Sequence, residues 1–281
     1  MSENVHFSSD DQKFIDEAIE ACQRMGEEAA LLLVGSRAAG FGSSWSDLDL
    51  WILGDKTFLP IEERQRYETD GELFYEAHEL WNRRDYEAHW TFYDMNDLVE
   101  QLSQWNDEKM WILLTSCVLY CSSDRIEAIK RRFSSYPTEI AERKLKWLFG
   151  KYLMSLGPLN TAARGMPVTA LVVAGQVIEY LCKICCLAER KPFPYTKWLV
   201  EVAKKTYLGA KVYPFMEKAV LGIEEFVNPP AGKHFRELIP LKELRATEEI
   251  VQTGLKELGW HCDWVDNTDE AVNEALKRPT L

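Results

Sequence analysis

The sequence predicts an α/β N-terminal domain followed by an all-helical C-terminal domain. Two short apolar runs, residues 31–34 (LLLV) and 50–53 (LWIL), lie among Gly and Ser and read as buried strands. A third segment, residues 86–93 (YEAHWTFY), is rich in aromatics and also reads as a strand. Beyond Pro137 the strand signals stop, so the SSYP break at 134–137 separates a domain over residues 1–136 from a helical domain over 137–281.

Composition sets the outer bounds. At 281 residues, with 46% hydrophobic and 28% charged residues, the chain has the make-up of a soluble protein of one large or two ordinary domains. The first residues, MSENVHFSSDDQKF, lack a basic stretch followed by an apolar one, so no secretory signal is expected. A formal charge of −12 argues against a nucleic-acid or anionic-membrane surface and suits a cationic acceptor. Seven cysteines at irregular spacing fit free thiols in a reducing, cytoplasmic setting. Cys182, Cys185 and Cys186 lack a second ligand pair at zinc spacing and read as core packing.

The first element is a helix. Ser9, Asp10 and Asp11 form its start, and Phe14, Ile15, Ala18, Ile19 and Cys22 form an apolar stripe at helical spacing before Gly26. It leads into the stretch on which the chemistry depends, residues 31–53, LLLVGSRAAGFGSSWSDLDLWIL. Gly35 lets backbone approach an anion closely, Ser36 offers an N–H and a hydroxyl, and a helix beginning at Arg37 would aim free amides at negative charge. Asp47 and Asp49 share one face of the second strand, with Leu48 turned into the core. Two neighbouring like charges repel each other; a divalent cation between them removes that penalty and can hold phosphates.

Gly35-Ser36, followed after eleven residues by Asp47-x-Asp49, resembles the signature of the DNA polymerase β-like nucleotidyltransferase superfamily. The resemblance implies a small mixed sheet with helices on one face. It also implies transfer of a nucleotidyl unit from a nucleoside triphosphate, here ATP, to a hydroxyl with two Mg²⁺ ions. Gly35 and Ser36 would bind the triphosphate, with Arg37 beside them, and Asp47 and Asp49 would hold the metals. Members usually add a third carboxylate on a neighbouring strand, as base or metal ligand. Glu87 is the choice for it, with Asp85, Asp94 and, if residues 72–78 form a strand, Glu76 as rivals. His89 shares the face of Glu87 and reads either as a contact to acceptor or phosphate, or as a hydrogen-bonded structural residue.

The remaining elements follow by pattern. Residues 61–82 read as mostly helical, interrupted at Gly71. A short helix follows over 94–104, then a helix end feeding a last strand at 118–121, then a basic helix over 125–133. In the second domain, 139–156 is helical and ends at Gly157-Pro158. Residues 168–188 are apolar almost all round, but Gln176, Glu179 and Lys183 make a bundle helix the better reading than a membrane span. Glu179 and Lys183 face either a cleft, with Lys183 on a phosphate, or solvent as an i,i+4 pair. The Pro-Tyr-Thr-Lys-Trp segment resembles one found near the nucleotide cleft in helical domains of this superfamily, which makes Lys197 a phosphate candidate. Helices over 199–207, 214–227 and 240–258 complete the domain.

The plan of the chain is similar to aminoglycoside and lincosamide nucleotidyltransferases. It implies AMP transfer to a small, hydroxyl-bearing antibiotic or metabolite bound between the domains. The alternatives are a protein-modifying adenylyltransferase and a non-catalytic nucleotide-binding module.

Overall fold

A computed structural model describes residues 6–43, 46–76 and 86–278. The chain divides into two compact units, Met1–Ser134 and Ser135–Leu281. The first holds a five-stranded mixed sheet in the order β3-β4-β2-β1-β5. Its strands are β1 (Ala30–Val34), β2 (Leu48–Gly54), β3 (Leu73–Glu76), β4 (Ala88–Asp94) and β5 (Cys117–Cys121). β2 runs parallel to β4 and antiparallel to β1; β5 and β3 pair antiparallel at the two edges.

Helix α1 (Ser9–Arg24) begins one residue beyond the Ser8 cap, which closes a capping box with Asp11. Its predicted stripe packs down on the sheet: Phe14, Ile15, Ala18 and Cys22 are buried with Leu31, Leu33, Leu48, Leu50 and Ile52. The alternate residues Leu32, Val34, Trp51, Leu53 and Tyr93 are buried as well. Helices therefore cover both faces, not one. On the second face Lys109, from helix α5 (Asp107–Thr115), lies 4.9 Å over the Tyr93 ring. Strands that are apolar on both sides demand two covers.

Three local predictions change. The one-turn helix α2 (Gly35–Ala38) starts at Gly35 and does not extend to Gly40, whose φ of +75° lies outside helical backbone. Helix α3 (Ile61–Asp70) ends at a left-handed Gly71 cap, φ +77°, and is followed by β3 where helix was expected. Leu73 and Tyr75 on β3 join the core beside Phe92 and Trp90, and that burial overrides the helical composition of the segment. After residues 77–85, which include Asp85 and lie outside the described residues, β4 begins at Ala88. Helix α4 (Met95–Ser103) is capped by Asp94, and α6 (Arg125–Arg132) follows β5.

The second unit is helical, with α7 (Thr138–Ala162), α8 (Pro167–Ala188), α9 (Thr196–Ala203), α10 (Tyr207–Leu221), α11 (Ile239–Glu257), α12 (Asp263–Asp266) and α13 (Thr268–Lys277). Helix α7 runs through Pro158, where an end was expected. Leu156, Leu159 and Ala162 are buried along its last turns, which offsets the hydrogen bond that proline removes. Pro214 is tolerated inside α10 in the same way, between buried Val212 and Met216. Helix α8 is long and apolar enough to cross a membrane by length and composition, yet over half of that stretch is buried. Its Cys182, Cys185 and Cys186 are buried thiols outside any disulfide. Burial pushes the Cys182 thiol up to about 12, as expected of inert core residues.

Candidate active site

The site lies where the C-terminal end of β1 meets the N-terminal ends of β2 and β4. Val34 pairs with Asp49, and Asp49 pairs with His89 on the other side. His89 in turn pairs with Glu76 of β3. Paired residues on neighbouring strands share a face, so one line across the sheet carries an acid, an imidazole and a second acid. Leu48 and Ala88, one step earlier in the parallel register, are buried on the opposite face. Their predecessors Asp47 and Glu87 therefore return to the face of Asp49 and His89.

The chain bends sharply at Gly35, whose φ is +69°. A β-carbon there would collide with Asp49 Oδ2 and stand 3.1 Å from Asp49 Cγ. Glycine is required at this position twice over, for its backbone angle and for the space that the Asp49 carboxylate occupies. Ser36 is buried immediately beyond, and its carbonyl accepts from the Phe41 N–H at 2.9 Å.

His89 Nδ1 lies 3.3 Å from Asp49 Oδ1 and 3.6 Å from Asp47 Oδ2. Among the described residues, Asp47, Asp49 and His89 are a group whose ligand atoms all fall within 4.8 Å of one another. All three side chains keep partial exposure, between 24% and 35%, so the group is open to a ligand from solvent. The hard carboxylate oxygens suit Mg²⁺ and the imidazole suits a softer divalent ion, so the donor set fits a cation. Phe74 of β3 stacks on the His89 ring with centroids 5.3 Å apart and planes at 25°.

A second network fixes the strand starts. Asp11 is buried; it accepts from Arg37 Nη1 at 2.9 Å and from the Tyr86 hydroxyl at 2.9 Å. Arg37 also donates from Nε and Nη2 to the Ser46 carbonyl, at 3.0 and 2.6 Å, one residue ahead of Asp47. Burial alone would raise the Asp11 carboxyl, but hydrogen bonds from the Ser8 N–H, Arg37 and Tyr86 hold it below its usual range. Arg37, expected beside the triphosphate, directs three of its donors to Asp11 and the Ser46 carbonyl.

The other predicted residues take varied positions. Glu87 is exposed just before β4, its carbonyl accepting from the Leu48 N–H at 3.2 Å, and its carboxylate stands outside the close group of three. Its rival Asp94 is buried and accepts from the N–H groups of Lys56, Asn96 and Asp97, which makes it a helix cap. Lys183 and Lys197 belong to the helical unit. Lys183 pairs with Glu179 at 2.5 Å and lies over Phe193, while Lys197 lies over the Trp198 ring at 5.0 Å. Asp11 and Tyr86 were missed as site residues because their contacts span 26 and 75 positions of sequence.

A mixed sheet that presents a glycine–serine bend against a paired-acid strand can seat a phosphate beside a cation. Residues 15–113 match the family described as nucleotidyltransferase domain, and the chain carries such a domain ahead of its helical region. Residues 103–199 match a second family, described as a domain of unknown function, DUF4037. No curated protein matches the chain. Among solved structures, a nucleotidyltransferase-like protein from Exiguobacterium sibiricum 255-15 aligns at 12% identity and a TM-score of 0.47, covering 86% of this chain and 75% of that one.

Proposed function

We propose that this protein transfers the AMP group of ATP to a hydroxyl of a small molecule, using divalent cations. The observation that carries the reading is the contact between Gly35 and Asp49, which brings an anion-binding bend and a cation-binding carboxylate onto one sheet face. The Gly35 and Ser36 amides and the Ser36 hydroxyl hold the β- and γ-phosphates. Asp47 and Asp49 hold the cations, which when bound neutralise phosphate charge and polarise the transferring group.

Glu87 receives the acceptor's hydroxyl proton. The acceptor oxygen then bonds to the α-phosphorus as the bond from that phosphorus to the bridging oxygen breaks, and pyrophosphate leaves. A net charge of −12 favours a cationic acceptor such as an aminoglycoside. The free cysteines suit a reducing compartment such as the cytoplasm.

The test is incubation with α-labelled ATP, Mg²⁺ and a panel of aminoglycoside, lincosamide and simple polyol acceptors. Label should move to one acceptor class and stay on ATP with Asp47→Asn or Asp49→Asn. Undiminished transfer by both variants overturns the assignment.

A further inference from the structure

We infer that His89 Nδ1 is the third protein ligand of the cation held by Asp47 and Asp49, and that this imidazole biases the site toward first-row transition ions such as Mn²⁺ over Mg²⁺. The inference rests on the reading that the two aspartates bind a cation, and it deepens that reading by naming the cation class.

Four observations converge on His89. Its Nδ1, rather than its ring edge or Nε2, faces both carboxylates, at 3.3 and 3.6 Å. Those distances let the three donor atoms close on one ion with sub-ångström to ångström shifts, since ligand–metal distances are about 2.0–2.2 Å. The ring is held in this attitude by the Phe74 stack at 5.3 Å, supplied by the edge strand β3. The position is also fixed by the backbone, because Asp49 and His89 are register partners in the parallel β2–β4 ladder. The His89 side chain keeps 24% exposure beside two partly exposed acids, so an ion can reach all three donors from solvent.

Donor chemistry then sets the preference. Three carboxylates present three negative charges and only hard oxygen, which suits Mg²⁺. Two carboxylates and a neutral imidazole present two charges and one nitrogen, and nitrogen donors favour Mn²⁺ and the later first-row ions over Mg²⁺. A single divalent ion neutralises this group in full.

The experiment uses the full-length protein and Mn²⁺ as probe. Pulsed electron paramagnetic resonance of bound Mn²⁺ should show ¹⁴N modulation in the wild type and none in His89→Ala or His89→Asp. By calorimetry, His89→Ala should weaken Mn²⁺ by about tenfold or more. His89→Asp should still bind cation but with the Mn²⁺/Mg²⁺ affinity ratio reduced by about tenfold. Phe74→Ala should lower Mn²⁺ affinity less than His89→Ala does. Absence of nitrogen modulation in the wild type, its persistence in His89→Ala, or an unchanged ratio in His89→Asp overturns the inference. AMP transfer with Mg²⁺ but no nitrogen coordination would sink this inference alone. Nitrogen coordination with no transfer to any acceptor would sink the proposed reaction alone.

Discussion

Gly35 and Asp49 occupy adjoining space, such that a β-carbon on the first would stand 3.1 Å from Cγ of the second and overlap its carboxylate. The bend that would bind phosphate and the acid that would bind metal are thus one structural unit. Gly35→Ala must rotate Asp49 away and also strain a φ of +69°. It should lose about 1–3 kcal/mol of stability from the backbone alone. Calorimetric Mn²⁺ affinity should fall along with it, while far-ultraviolet circular dichroism stays that of the wild type.

Arg37 has its guanidinium committed to Asp11 and the Ser46 carbonyl, so its effect on chemistry should be indirect. Arg37→Met should weaken cation binding by about 10–100-fold, as loss of outer-shell support does. A direct phosphate contact would instead show as a raised ATP KM with cation affinity intact, and steady-state kinetics beside cation titration separates the two.

Glu87 stands on the site's face but outside the close group of three. As the proton acceptor it should show its loss in kcat: Glu87→Gln should reduce transfer by about 10²–10⁴-fold while Mn²⁺ affinity stays near that of the wild type. A matching fall in cation affinity would make it a metal ligand instead.

Asp11 links pH to stability. Its folded-state carboxyl lies below the ordinary value of 3.8, so its contribution is fully present above that value and is lost as pH falls through the folded one. Asp11→Asn should therefore destabilise the N-terminal unit near neutrality by about 1–3 kcal/mol, with the difference from wild type shrinking as pH falls through the range of the folded carboxyl. Urea unfolding followed across that range measures it.

In the helical unit, Gly150 on α7 meets the backbone of α13, and a β-carbon there would collide with the Ala271 carbonyl and lie 2.9 Å from Ala275 Cβ. Gly150→Ala should cost about 1–3 kcal/mol by overpacking and lower the thermal midpoint. An unchanged midpoint would show that the two helices part freely.

Much of this fold is local in origin and was readable. The stripe of α1, the run into β1 and the alternation across Asp47, Leu48 and Asp49 each depend on neighbours a few residues away. β3 was not readable as the rule, because Leu73–Glu76 carries helix-compatible residues and becomes strand only by pairing with β4. Pro158 and Pro214 misled for the same reason: burial against other helices outweighed a local breaker.

The sequence by itself determined a glycine–serine bend after one strand and a pair of acids on one face of the next, since bend chemistry and strand period are properties of adjacent residues. Only the tertiary structure decided which side chains stand around that pair. Parallel pairing of β2 with β4 set His89 beside Asp49, and the buried Asp11 took the Arg37 guanidinium as its partner. Register between distant strands and the partner of a buried charge are fixed by global packing, which no window of neighbouring residues encodes.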